Sequence, residues 1–333
     1  MPISSKLKGI LLASAILACA ALVLKVSLRA SVDEQEPNRS DPAVDYEAAL
    51  ARFEQIQARE AAMDELNPIC LSKLLTHGQK TEHAIILMHG MTNCPEQFRE
   101  LAPMFYERGY NVLIPRMPGN GLADPETTTL KDVTAEQLCD CCTDMVDIAR
   151  GLGGHVTYLG ISVGGTMAAW VALHRPDVDL AVPIAPVFSL GRNMGVWMSR
   201  LAMYVLLLMP NIMTQWIRPF SGAMGHNYHG FATRGLAQSM RLGFSVYDAA
   251  RTTKPVAKSI LVITNAADTA VNNTITQKLV QRWRTTGVQS FDSYEFDDSS
   301  HLIHDVIDPN QEQQQTALVY PIMLNLITQE RVV

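Results

Sequence analysis

"HVTYLGISVGG", residues 155–165, runs from an apolar, β-rich stretch straight into a serine set two positions from each of two glycines. A G-x-S-x-G match alone arises by chance in roughly one chain of this length in ten or twenty. The flanks therefore decide its meaning. Residues 155–161 read as a buried strand, and a helix over 163–174 begins at once after the serine. So tight a strand-to-helix turn lifts a serine above the sheet, beside a helix N-terminus. Gly160 and Gly164 permit the turn, because side chains there would collide with neighbouring elements. A flexible glycine loop would need neither flank. Ser162 is the candidate nucleophile.

Working outward, apolar runs alternate with helical stretches. Strands are expected at 83–90, 109–115, 155–161, 179–185, 259–265 and 290–296, the first five almost continuously apolar. Such runs suit parallel strands covered on both faces. Helices are expected at 95–108, 131–150, 163–174 and 272–285, with a short amphipathic one over 46–63. The order predicts an α/β fold, a mostly parallel sheet with helices on both faces. No strand is legible between Val187 and Pro255. Residues 187–250 therefore read as a helical lid inserted over the strand ends, rich in methionine and carrying Trp197, Trp216 and Leu206 to Leu208. Simple packing explains those residues; an adaptable ceiling for an acyl chain is the functional alternative.

A serine hydroxyl needs a base, and the base needs an orienting group. In a parallel sheet both belong on loops at strand C-terminal ends. Asp268 follows the strand 259–265 in "NAADTAVN", and His301 follows the strand 290–296 in "DDSSHLIH". The expected triad is Ser162, Asp268 and His301. Asp297 and Asp298 lie too near the histidine in sequence to serve as its separate orienter, and His304 reads as a helix-surface or supporting residue. The tetrahedral oxyanion needs preorganised donors. The His89–Gly90 turn directs the next N–H groups inward, so Met91 and Val163 are the expected pair, with His89 structural.

"LMHGMTNCPEQF" (87–98), "IPRMPGNGL" (114–122), "LGISVGG" (159–165), "NAADTAVN" (265–272) and "SSHLIH" (299–304) resemble successive motifs of the α/β-hydrolase superfamily. They are most similar to its carboxylesterase and monoglyceride-lipase-like branch, over roughly residues 67–330. The resemblance implies an α/β-hydrolase fold and ester hydrolysis through an acyl-serine intermediate, with no metal or organic cofactor. Asn120 departs from it, standing where that branch commonly has histidine. Thioesterase, acyltransferase and peptidase chemistry share the triad; a non-catalytic, membrane-tethered binding module is the reading from a different class. An intact Ser162, Asp268 and His301 set argues against the latter.

The 333 residues carry a net charge of −6, which gives no basic footprint for nucleic acid. No phosphate-cradling G-x-x-x-x-G-K-[ST] loop occurs. Residues 1–30 hold an uncharged apolar run from Gly9 to Leu24 between lysines, expected to be a single-pass membrane anchor with the catalytic mass on the extracytoplasmic side. A cleaved signal peptide and a lipoprotein signal at Cys19 are the alternatives. Residues 31–45 read as a solvated linker. Of six cysteines, Cys70 and Cys94 form a candidate disulfide if the segment around Cys70 runs beside the first strands. Cys139 and Cys142 share a helical face and suggest packing, and "HNYH" (226–229) suggests a loop with two surface histidines.

Overall fold

A computed structural model describes residues 40–189, 191, 194–215, 225–287 and 290–329. The predicted anchor and most of the predicted linker lie outside the described residues. Seven strands form one sheet: β1 (Lys73–Leu75), β2 (Thr81–Met88), β3 (Tyr110–Ile114), β4 (Gly153–Ile161), β5 (Leu180–Ile184), β8 (Ser259–Asn265) and β9 (Ser290–Phe296). Their spatial order is β1-β3-β2-β4-β5-β8-β9. Only β1 is antiparallel, pairing Leu74 with Leu113; the rest run parallel. All six predicted strands are present. The edge strand β1 is not legible in the sequence, because three residues carry no alternation to read.

The chain leaves β2 for β3 on one side and returns to β4 on the other. Loops diverge at such a reversal, opening a crevice beyond the strand C-termini. Here the crevice falls between the loop after β2 and the turn after β4.

Helices α1 (Tyr46–Ala61), α2 (Leu101–Tyr106), α3 (Ala135–Leu152), α4 (Val163–His174), α7 (Asn273–Thr286) and α8 (Thr316–Thr328) complete the layers. Helix α3 starts on a capping box: the Thr134 hydroxyl accepts the Gln137 N–H, and Gln137 Oε1 accepts the Thr134 N–H. Helix α4 is buried all round from Val163 to Leu173, as a helix inside a fold must be apolar on every side.

The predicted linker is corrected at its C-terminal end. Ala43 is buried, its N–H donates to Asp147 O, and the Asp41 N–H donates to the Asp147 carboxylate. That carboxylate also takes the buried Arg175 guanidinium at 2.6 Å. Backbone donors paired to a buried ion pair hold residues 41–43 against α3, so this stretch is part of the body. Helix α1 belongs to it too, since the Glu60 carboxylate accepts from Ser72 and Arg116.

Between β5 and β8 come α5 (Val196–Leu208), α6 (Thr233–Ala249) and a small antiparallel pair, β6 (Met213–Gln215) with β7 (Gly230–Ala232). The insertion is helical as expected, apart from this pair, again three residues per strand. Trp216 lies outside the described residues.

Cys70 and Cys94 are joined, with their Cα atoms 5.3 Å apart. The bond ties the turn Pro68–Cys70 to the loop after β2. Closing a loop of 24 residues' separation removes denatured-state entropy worth about 3 kcal/mol in the chain-entropy model. Replacing both cysteines with alanine is expected to lower urea-unfolding stability by about that amount. An unchanged midpoint would show the bond to be energetically idle.

Candidate functional site

Ser162 stands between β4 and α4 with φ +60° and ψ −117°, a conformation that side-chain-bearing residues rarely adopt. The close approach around it explains both glycines. A Cβ on Gly160 would lie 2.0 Å from Gly164 O, and one on Gly164 would lie 2.3 Å from Met88 O. Neither has a positive φ; their role is to let backbones touch. The turn is further held by the Ser162 N–H donating to Ile184 O on β5.

Ser162 Oγ is 3.0 Å from His304 Nε2, and His304 Nδ1 is 2.6 Å from Asp268 Oδ2. The carboxylate only accepts, so Nδ1–H donates to it and Nε2 is left to accept the Ser162 hydroxyl proton. Asp268 Oδ1 accepts the N–H groups of Ala270 and Val271 at 2.8 and 3.3 Å, which fixes the carboxylate plane. Burial acts to raise the Asp268 pKa, but the His304 charge, its hydrogen bond and those two N–H groups hold it below the ordinary carboxylate value. Burial likewise acts to lower His304, and the Asp268 charge and hydrogen bond outweigh it, leaving the ring above its ordinary value of 6.5. Histidine NMR titration is expected to give His304 a midpoint above 6.5, moved down by Asp268→Asn. A midpoint unmoved by that substitution would disconnect the pair.

Ser162 and Asp268 thus meet as the sequence suggests, and His301 does not join them. His301 is exposed and left-handed, with φ +50°, at the end of the turn Asp298–Ser300. Asp297 caps that turn through the Ser299 N–H and plays no part in the site. The turn consumes the residues after β9, Leu302 is buried beneath, and Asn265 donates to the carbonyls of Leu302 and Ile303. Only the next side chain, His304, is carried over Ser162. A signal is present in the sequence: "DDSS" is turn-forming, so the first histidine after it sits on the turn itself.

The loop after β2 forms the opposite wall. His89 is fully buried; its Nε2 accepts the Met117 N–H at 3.0 Å and its Nδ1–H donates to Gly90 O at 2.8 Å. Burial pushes its pKa down to about 3, so it is a neutral strut, as expected. Asn120, where the family resemblance breaks, donates to Met91 O and Asn93 O at 2.6 and 2.9 Å, clamping the same loop. Met91 and Val163 both line one pocket, beside Met117, Leu130, Val133 and Leu138, under Gly235 and Ser239 of α6. Among the described residues neither Met91 nor Val163 gives its backbone N–H to an acceptor. Two unspent donors beside a serine suit a developing oxyanion.

His226 is a further correction. It is buried, with Nε2 2.8 Å from Asp308 Oδ2, while His229 is exposed and pairs with Glu126. No cluster of three metal-ligating side chains occurs among the described residues. Cys142 packs in the core against Tyr158, and burial raises the thiols of Cys139, Cys141 and Cys142.

A family model described as the alpha/beta hydrolase family matches residues 85–313. A thermostable monoacylglycerol lipase of Bacillus sp. (strain H-257) is 29% identical over 130 residues, 37% of this chain and 48% of that protein. A pyrethroid hydrolase of Sphingobium wenxiniae is 30% identical over 93 residues, 28% of this chain and 31% of that protein. The chain therefore spans about half the first relative's length and less than a third of the second's. Among solved structures, one from a study of the metagenome-derived lipolytic enzymes LipS and LipT superposes with TM-score 0.60 at 18% identity, covering 79% of this chain and 98% of that one. A monoacylglycerol lipase of Paleococcus ferrophilus gives TM-score 0.59 at 14% identity, covering 77% and 97%. At these identities the superpositions speak for the fold.

Proposed function

This chain belongs to the alpha/beta hydrolase family, and from that premise we propose that it is a serine ester hydrolase acting on lipid-like acyl esters. The observation that carries the reading is the hydrogen-bond chain from Ser162 through His304 to Asp268. Ser162 Oγ attacks the ester carbonyl as His304 Nε2 takes its proton. Asp268 steadies the imidazolium, and the Met91 and Val163 N–H groups receive the oxyanion. Collapse expels the alcohol, protonated by His304 Nε2, and leaves an acyl-serine. Water then repeats the cycle, giving up its proton to His304 and releasing the acid. No cofactor enters these steps.

The substrate class is supported by the monoacylglycerol lipase among the relatives and by the mostly apolar side chains, with Asn120 and Ser239 among them, around the small cavity that Met91 and Val163 line. We take the insertion over residues 187–250 to be the lid of this pocket. The Cys70–Cys94 bond supports an oxidising, extracytoplasmic setting, since such bonds are rare where thiols are kept reduced.

The test is turnover on acyl esters from acetyl to octanoyl, with matched thioesters and amides. Each added CH₂ buried in the pocket contributes about 0.8 kcal/mol, roughly fourfold in kcat/KM until the pocket is full. A flat ester series would reject the acyl pocket. Preference for the amide or thioester would place the chain in a sister class using the same three residues.

A further inference from the structure

We propose that Gln97 is a positioning residue for this chemistry, one buried amide that couples the oxyanion loop to the loop carrying the base. The inference rests on the serine-hydrolase reading above. In the sheet, β2 and β9 are separated by β4, β5 and β8, four strand spacings or roughly 19 Å. The loops that follow them must therefore arch together over the crevice with no ladder between them. Gln97, in the turn Pro95–Phe98 and 2% exposed, spans the gap beside Asn93, whose Nδ2 donates to Asp308 Oδ2 at 2.9 Å; of the two, Gln97 alone also holds the Gly90 N–H. Its Oε1 accepts the Gly90 N–H at 2.9 Å, and its Nε2 donates to Asp305 Oδ2 at 2.8 Å. Gly90 immediately precedes Met91, and Asp305 immediately follows His304.

The polarity of this strut is fixed. A backbone N–H only donates and a carboxylate only accepts, so the amide fits in one sense alone. Asp305 is anchored in turn, its Oδ1 accepting the N–H groups of Ile307 and Asp308 at 3.1 and 3.0 Å. The Gly90 peptide also stands beside the nucleophile. A Cβ built on Gly90 would stand in ordinary contact with Ser162 Cβ, 3.6 Å away, and the Gly90 carbonyl carbon is bonded to the Met91 nitrogen, so a rotation of the Gly90 peptide re-aims the Met91 N–H beside the serine. A displacement of either loop is thus passed to the other through Gln97, and the two groups are held in register for the transition state.

Three variants test this: Gln97→Met, which keeps the length and removes both bonds; Gln97→Glu, which keeps the acceptor and sets a carboxylate against Asp305; and Gln97→Glu with Asp305→Asn, which restores a donor facing an acceptor with reversed sense at this contact, at the cost of the two weaker bonds that Asn93 and Gln311 give to Asp305 Oδ2. Steady-state kinetics on a butyrate ester are compared with inhibition by a trifluoromethyl ketone, whose serine adduct mimics the tetrahedral state. Both single variants are expected to lose about 10²-fold in kcat with KM within about threefold, and to bind the ketone weaker in proportion. The double variant is expected to regain about tenfold or more of kcat, which a purely structural role for Gln97 would not produce.

A folded Gln97→Met with kcat within about threefold of the parent overturns the strut. So does a loss that falls on KM and is not recovered by the reversed pair. Where Gln97→Met does not fold, Gln97→Glu and its double partner decide between the same two outcomes. An active Ser162→Ala would remove the serine-hydrolase reading itself; where Ser162→Ala abolishes turnover, a flat series of Gln97 variants that keep Ser162 removes the strut alone.

Discussion

Ser162→Ala is expected to lower ester turnover about 10⁶-fold while the urea-unfolding midpoint stays near that of the parent chain. The two halves of this result have separate causes. Turnover falls because alanine offers no atom to form the acyl bond, and Ser162 Oγ is the atom 3.0 Å from His304 Nε2. The fold persists because the strained φ of +60° costs serine and alanine alike. The bonds that hold the turn are also backbone bonds: the Ser162 N–H to Ile184 O and the Thr166 N–H to Ser162 O. Turnover and labelling by a fluorophosphonate, read beside a circular-dichroism melt, check both halves. Residual turnover above about 1% in the folded variant would move the nucleophile elsewhere.

The second large effect separates two histidines three residues apart. His304→Ala is expected to cost about as much as the serine change, again near 10⁶-fold, since members of a triad act as a unit. His301→Ala is expected to leave kcat/KM within about twofold. His304 alone reaches both Ser162 Oγ and Asp268 Oδ2, whereas His301 is exposed on the turn after β9. Paired kinetic measurements on the two variants decide the matter, and an inactive His301→Ala beside an active His304→Ala would reverse the assignment.

That pair of histidines also marks where sequence reading stops. Apolar run lengths and the serine turn are enough to place five strands, because buried parallel strands write their burial directly into composition; the sixth, at the sheet edge and half-exposed, shows only as a short β-rich run. The strand-end rule is enough to bring Asp268 to Ser162, because topology alone puts both loops on one edge. Choosing between His301 and His304 needs the path of a short loop. The turn-forming "DDSS" hints at it, but the path is set by Leu302 burying beneath the loop and by Asn265 reaching over from β8, long-range contacts that a local pattern does not encode. His226 escapes the sequence for a related reason. Its carboxylate partner, Asp308, lies 82 positions away, so "HNYH" reads as an exposed loop. Cys70 and Cys94 are legible only conditionally, since their pairing depends on the segment around Cys70 running beside the first strands, and β1, which follows Cys70, is too short to read and is separated from β2 by β3.

The Ala43 to Asp45 stretch rests against Gly151, where a Cβ would lie 2.3 Å from Asp45 O. Gly151 closes α3 just before β4 begins, so this docking point is at the start of β4, and Ser162 is at its finish. Nine residues of strand separate the two, roughly 30 Å at ordinary rise. The polypeptide is therefore gripped at its rear while the crevice opens at the front. Whatever load arrives through the residues before Ser40, be it a bead, a fused domain or a pulling force, is delivered to the Asp147–Arg175 knot and spread into α3 and α4. The molecule has a handle, and it is on the side away from the blade.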